Sequence, residues 1–240
     1  RRQMTNVLDR WKALQPASPE KPKLLLINCS GGGLRSALWT TSVLSQLDSL
    51  LEGNLMRHAA LFTGASGGMI GATYMRDEYI RKGKTDIYTS GPVMTESIGK
   101  DILNPLLVSI ASSDLFFQLG RFEYGNQEYR KDRAYRFEQQ IIKNTNGALD
   151  HTLGSYRAAE LSAEIPMVFL YPTIINDGRK MLVSSLDMGF MTELPSVADE
   201  ELSYQHELVE YRSLLADAGA DSTRYLSLVR ANATFPYILP

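Results

Sequence analysis

The stretch "LLLINCSGGGLRSALW" (residues 24–39) passes from an apolar run into three consecutive glycines and then into a pattern with helical spacing. The continuous run Leu24–Ile27 predicts a strand buried on both faces, the form strands take inside a parallel sheet. From Ser36 to Leu51, the residues Leu38, Leu44, Leu47, Leu50 and Leu51 predict a helix, and Gly53 offers its C-terminal cap. A second glycine-framed turn, "FTGASGGMIG" (residues 62–71), has the same order: a short strand "HAALFTG" before it, and a helix "GMIGATYMRDEYIRKG" after it, ended by Gly83. Two strand–glycine loop–helix units in succession predict parallel strands with crossover helices, hence an α/β fold of three layers, α/β/α, around a mainly parallel central sheet.

The rest of the chain fits around these units. With 240 residues, 44% hydrophobic and 22% charged, one large domain is expected. A formal charge of −2 leaves no basic surplus, so nucleic acid is excluded as a partner. The single cysteine, Cys29, rules out an intrachain disulfide and reads as a small core residue. Three histidines with one cysteine form no zinc-like spacing, so no metal and no cofactor are expected. No apolar run approaches the roughly 20 residues of a membrane span, and no signal peptide is visible. The location expected is cytoplasmic or peripheral to a membrane. The chain opens "RRQMTN" without an initiating methionine and stops at "FPYILP", from which we expect a piece of a longer polypeptide carrying other domains.

Residues 1–20 read as an amphipathic docking helix, with Met4, Val7, Leu8, Trp11 and Leu14 on one face, followed by a linker "QPASPEKPK". Residues 21–240 form the main domain. From Thr85 to about Gly125 the pattern loosens: "ILNPLLVSIASSDLFFQLG" (residues 102–120) is apolar but broken by Asn104, Pro105 and Asp114. Burial against the domain is its expected fate, with a lid or a membrane-contacting segment as alternatives. "DRAYRFEQQIIKN" predicts a helix, and "PMVFLYPTIINDGRKMLVSS" two strands joined at Asn176, Asp177 and Gly178. Asp199–Leu215 reads as a charged helix with an acidic start.

The glycine loops carry the chemistry. Gly64, Ser66 and Gly68 match Gly-x-Ser-x-Gly, in which a strand turns sharply into a helix with a nucleophilic serine at the bend. Attack of a serine on an acyl carbonyl creates an oxyanion that needs preorganised donors, and Gly31, Gly32 and Gly33 can turn successive N–H groups toward it. The competing reading is a dinucleotide-binding loop, Gly31-x-Gly33 followed by Ser36. It lacks the third glycine and the acidic residue at the end of the next strand.

"SGGGLRSALW" followed by "GASGG" resembles the patatin-like phospholipase family, which is related in fold to cytosolic phospholipase A2. "DRAYRFEQQI", "PTIINDGRKMLVSS" and "VRANATFPYILP" resemble that family's middle helix, hairpin and pre-aspartate segment. The resemblance implies a serine acyl hydrolase with a Ser–Asp dyad and no histidine, cleaving phospholipid or other acyl esters. Ser66 would be the nucleophile, with Gly31, Gly32 and Gly33 as the oxyanion loop and Arg35 supporting it. It also implies a base in an Asp-Gly pair beyond Pro240. The one Asp-Gly in the chain, Asp177-Gly178, stands between two strand-like runs where a tight turn wants it, which leaves Asp177 as the lesser in-chain candidate. A lipid or acyl-ester substrate and peripheral membrane contact are the partners implied.

Two other readings stay open. An α/β-hydrolase triad would need a histidine after the elbow, either His151 in a loop or His206 in the charged helix, whereas His58 precedes the elbow strand and reads as structural. The other is a non-catalytic lipid-binding or interaction module.

Overall fold

Three strands of this chain run parallel in one sheet, so that their carboxyl ends lie side by side. The computed structural model describes residues 1–109, 120–192 and 208–235. In chain order the elements are α1 (Arg2–Ala13), β1 (Leu25–Cys29), α2 (Gly33–Leu50), α3 (Leu55–His58), β2 (Ala59–Gly64), α4 (Ser66–Lys82), α5 (Lys84–Gly99) and α6 (Leu103–Ser109). They continue with β3 (Arg121–Tyr124), β4 (Gln127–Arg130), α7 (Arg133–Asn144), α8 (Arg157–Leu161), β5 (Met167–Leu170), β6 (Lys180–Leu182), β7 (Leu208–Glu210), α9 (Tyr211–Ser222) and α10 (Tyr225–Ala231). Strands β1, β2 and β5 form a parallel sheet in that order. The register sets Cys29 beside Gly64 and Gly64 beside Leu170, which brings the two glycine loops together at one end of the sheet.

The sheet has helices on both faces, the expected α/β/α arrangement. Val168 and Leu170 of β5, Phe62 of β2 and Leu25 and Ile27 of β1 pack into the larger core with α2, α4, α5 and α7. On the opposite face Val7 and Trp11 of α1 cover Ala60, Met167 and Phe169. That second layer stops short of β1, whose burial alternates and whose Leu26 is 63% exposed. The strand expected to be buried on both faces is therefore buried on one, because α1 packs over β2 and β5 and leaves the outer face of β1 uncovered among the described residues.

Helices α2 and α4 are in backbone contact. A Cβ on Gly67 would overlap the carbonyl oxygen of Gly33, so the two helices can start side by side only because residue 67 has no side chain. Buried between α4 and the sheet, Arg76 pairs with Glu160 and donates to Tyr225 Oη at 2.9 Å and to the Pro166 carbonyl at 3.0 Å. Glu160 also accepts from Ser185 Oγ at 2.5 Å. The next residue, Asp77, accepts from Leu149 N and Tyr156 Oη.

Several sequence expectations need correction. The loosening after Thr85 is a 16-residue helix, α5, which holds Pro92 in its interior. Packing supplies what the lost hydrogen bond takes away: Met94 and Ile98 are buried, and α5 runs along α2 so closely that a Cβ on Gly91 would meet Ser45. Of the segment 102–120, residues 110–119 lie outside the described residues; Ile102 and Leu106 are buried, but Leu107 and Val108 are exposed. The charged helix expected over Asp199–Leu215 is displaced. Residues 199–207 lie outside the described residues, Leu208–Glu210 is a strand paired in parallel with β6, and the helix runs Tyr211–Ser222. Glu210 is buried because its carboxylate accepts from Met188 N and Ser213 Oγ. The β3–β4 hairpin was not expected; Gly125 and Asn126, both at positive φ (56° and 64°), form its turn.

Candidate active site

Ser66 is the first residue of α4, separated from the end of β2 by Ala65 alone. Its φ is +54°, a left-handed conformation that a serine holds only when its surroundings impose it, at about 1–3 kcal/mol. Five contacts impose it. Gly64, at φ +140°, lies against the backbone of Cys29 with no room for a Cβ. Ala65 N donates to Cys29 O at 3.0 Å, and Ser66 N donates to Asn232 O at 3.0 Å. Asn232 Nδ2 donates to Gly64 O at 3.1 Å, while its Oδ1 accepts from Tyr171 N at 2.9 Å.

The triple glycine stands directly over this turn. A Cβ on Gly31 would lie 3.2 Å from Ser66 Cβ, so the loop and the serine are in contact. Ser36 Oγ donates to Ser30 O at 2.5 Å and closes the loop onto the first turn of α2. Gly68, one turn position beyond Gly67, lies against the Ser30 carbonyl from the other side. The amino ends of α2 and α4, 18 and 17 residues long, thus converge on Ser66. Each helix leaves its first N–H groups without intrahelical acceptors and presents about half a positive charge at its amino end. Negative charge developing beside Ser66 Oγ is favoured by both.

A cavity of about 390 Å3 opens from this point, with Gly32, Gly33 and Ser66 on one wall and Ile70, Leu106 and Phe137 on the other. Arg35 is exposed and lines the rim, where it separates this cavity from an apolar groove of about 250 Å3 between α2 and the end of α5. A third depression, about 550 Å3, lies at the carboxyl ends of β1 and β2 and is lined by Asn28, Thr63, Tyr171 and Lys180. Burial pushes the Cys29 thiol up to about 11, which favours its neutral form at neutral pH.

The other sequence candidates are not brought to Ser66. Asp177 is in the exposed turn between β5 and β6, where it accepts from Arg179 N at 3.0 Å and from Arg179 Nε at 2.7 Å; the backbone bond, more than the guanidinium, holds its carboxyl below the usual range. Gly178, at φ +78°, completes that turn. His151 stands 3.7 Å from Asp77 Oδ1, eleven positions along α4 from Ser66, or about 16 Å at 1.5 Å per residue. His58 ends α3, at the opposite end of β2 from the serine. His206 lies outside the described residues. Among the described residues no carboxylate or imidazole hydrogen-bonds Ser66 Oγ, and no group of three or more His, Cys, Asp or Glu could hold a metal ion. No helix among the described residues is long and apolar enough to cross a membrane. Asn232 is the site residue that sequence reasoning missed. Its only signal was a polar side chain directly after the apolar run of α10.

No protein-family model matches the chain, and no curated protein matches it. Solved structures similar to it include human GIVD cytosolic phospholipase A2 in complex with methyl gamma-linolenyl fluorophosphonate and terbium chloride. That match has 17% identity and a TM-score of 0.43, over 76% of this chain and 28% of that one. The same human enzyme with the fluorophosphonate but without terbium in its description matches with 17% identity and a TM-score of 0.43, over 77% and 26% of the two chains. The human enzyme described without an inhibitor matches at 17% identity and a TM-score of 0.37, over 73% and 23%. The chain therefore spans little more than a quarter of the length of those phospholipases.

Proposed function

We propose that this chain is a serine acyl hydrolase of the patatin-like type, acting on phospholipid or other acyl esters. The observation that carries this reading is Ser66 itself, held at φ +54° where two helix amino ends meet and an apolar cavity opens. Ser66 Oγ attacks the acyl carbonyl and its proton passes to a base. The N–H groups of Gly32 and Gly33, joined by that of Gly67, receive the oxyanion. As the tetrahedral species collapses, the leaving alkoxide takes the proton; water then attacks the acyl-enzyme and releases the acid. The acyl chain lies along Ile70, Leu106 and Phe137, and Arg35 adds positive potential at the rim.

The base in this reading is an aspartate following Pro240. Asp177 is engaged with Arg179 in its turn, and Asp177→Asn is expected to leave the reactivity of Ser66 unchanged. Exposed apolar residues next to the cavity, Leu107, Val108 and Phe235, support a substrate presented at a lipid–water surface and a peripheral membrane location. The test is to expose the full-length polypeptide to a fluorophosphonate and map the adduct by mass spectrometry, with Ser66→Ala as control. An adduct confined to Ser66 is expected; folded protein that takes up none would remove the hydrolase reading.

A further inference from the structure

Three elements far apart in sequence meet in the side chain and backbone of one residue. Asn232 ends α10. Its carbonyl accepts the Ser66 N–H, its Nδ2 donates to the Gly64 carbonyl on β2, and its Oδ1 accepts from Tyr171 N just beyond β5. A carboxamide carries a donor and an acceptor on separate atoms of one short arm, and here each meets one of these two backbone partners. The helix that presents it is fastened immediately upstream. The buried carboxylate of Glu138 on α7 accepts from Arg224 Nη1 at 2.8 Å, Ser227 Oγ at 3.1 Å and Arg230 Nε at 2.8 Å.

We infer that Asn232 is a positioning residue for the nucleophile. It acts through the peptide units flanking Ala65, keeping Ser66 in the left-handed conformation that points Oγ at the meeting place of α2 and α4. Without its side chain, the Gly64 carbonyl and the Tyr171 N–H lose their partners, and the turn keeps only the Cys29 contacts and the backbone carbonyl of residue 232, which do not suffice to hold Ser66 away from an ordinary helical φ. The serine would remain on the chain and the protein would remain folded, but the hydroxyl would leave the two helix ends. The apolar side chains along which the acyl chain lies, Ile70, Leu106 and Phe137, stand outside this turn, so substrate binding is expected to change little.

The inference rests on the hydrolase reading for its catalytic consequence and on the hydrogen bonds for its structural one, so the experiment reads both. In the full-length polypeptide, Asn232→Ala is compared with the unaltered protein for three quantities: the second-order rate of fluorophosphonate labelling, kcat and KM on a short-chain p-nitrophenyl ester, and hydrogen exchange at the Ser66 and Tyr171 amides. Labelling and kcat are expected to fall at least tenfold with KM within twofold, and the two amides to exchange at least tenfold faster while the rest of α4 stays protected. Labelling and kcat unchanged in folded variant, or lowered only in proportion to the folded fraction, would overturn the inference. If the unaltered protein neither labels nor turns over ester, the hydrolase reading falls. Exchange at Ser66 then decides the positioning role: faster in the variant upholds it and unchanged overturns it. Should Asn232→Ala not fold, Asn232→Asp takes its place. It is isosteric, keeps the acceptor for Tyr171 N and sets a carboxylate oxygen against the Gly64 carbonyl, so the same tenfold losses are expected.

Discussion

Ser66 is a serine in a conformation that suits glycine, and the residues around it explain how it stays there. Gly64 gives up its side chain to the backbone of Cys29, and Asn232 supplies acceptors and a donor around the turn. Gly64→Ala should therefore destabilise by about 2–3 kcal/mol, in the upper part of the range for overpacking, because the new Cβ meets backbone atoms that cannot swing aside; denaturant unfolding measures it, and a loss below about 0.5 kcal/mol would show that the turn is slack. Cys29 yields a pH prediction. Burial favours the neutral thiol and raises its folded value from an ordinary 9.0 to about 11, so at pH 8 only about a thousandth is thiolate. Iodoacetamide should modify it slowly at pH 8, faster by about tenfold per pH unit up to about 11, and quickly at pH 8 once the chain is unfolded, as followed by intact mass. At this scale the sequence was most readable in the turn itself: a serine between glycines after an apolar run announces the sharp passage from strand to helix that β2, Ser66 and α4 make. Asn232 could not be, because its partners lie 61 and 168 positions away and no local pattern announces them.

Elements with strong periodicity were equally readable. α4 and α7 appear where their apolar spacing and end residues put them, and Asp132 caps α7 by accepting from Tyr135 N. Those that were misread owe their form to neighbours. α5 keeps a proline because α2 holds it in place, and β7 is a strand because Lys180–Leu182 offers it a partner. The β3–β4 hairpin did carry a local signal, glycine then asparagine between aromatic residues, that went unused. α1 lets an element be tested by itself. Trp11 is buried in the cluster that α1 forms on the outer face of β2 and β5, away from the cavity at Ser66. Trp11→Ala should cost about 3 kcal/mol in denaturant unfolding while leaving the labelling rate of the folded fraction within twofold. A large fall in that rate would mean that α1 reaches the site.

Across the whole molecule, the buried Arg76–Glu160 pair ties α4 to the segment leading into β5. Removing one partner leaves a charge in the core, so Glu160→Leu should lose about 3–5 kcal/mol, and adding Arg76→Met should restore much of it. Equilibrium unfolding of the single and double variants checks this; additive losses would mean that the pair is not coupled. The layered plan around the sheet was legible because two strand–loop–helix units repeat it, whereas the reach of each layer was not, since nothing local states how far α1 extends over its neighbours. That reach has a practical side. Among the described residues β1 pairs on one edge alone, and Leu24 and Leu26 stand uncovered beside a row of backbone groups open to any extended chain. In solutions of this 240-residue chain the sheet should recruit strands from other molecules, so that light scattering grows with concentration and time. A lysine at position 26 (Leu26→Lys) is expected to suppress that growth, turning an adhesive border into a charged one without touching the turn that holds Ser66.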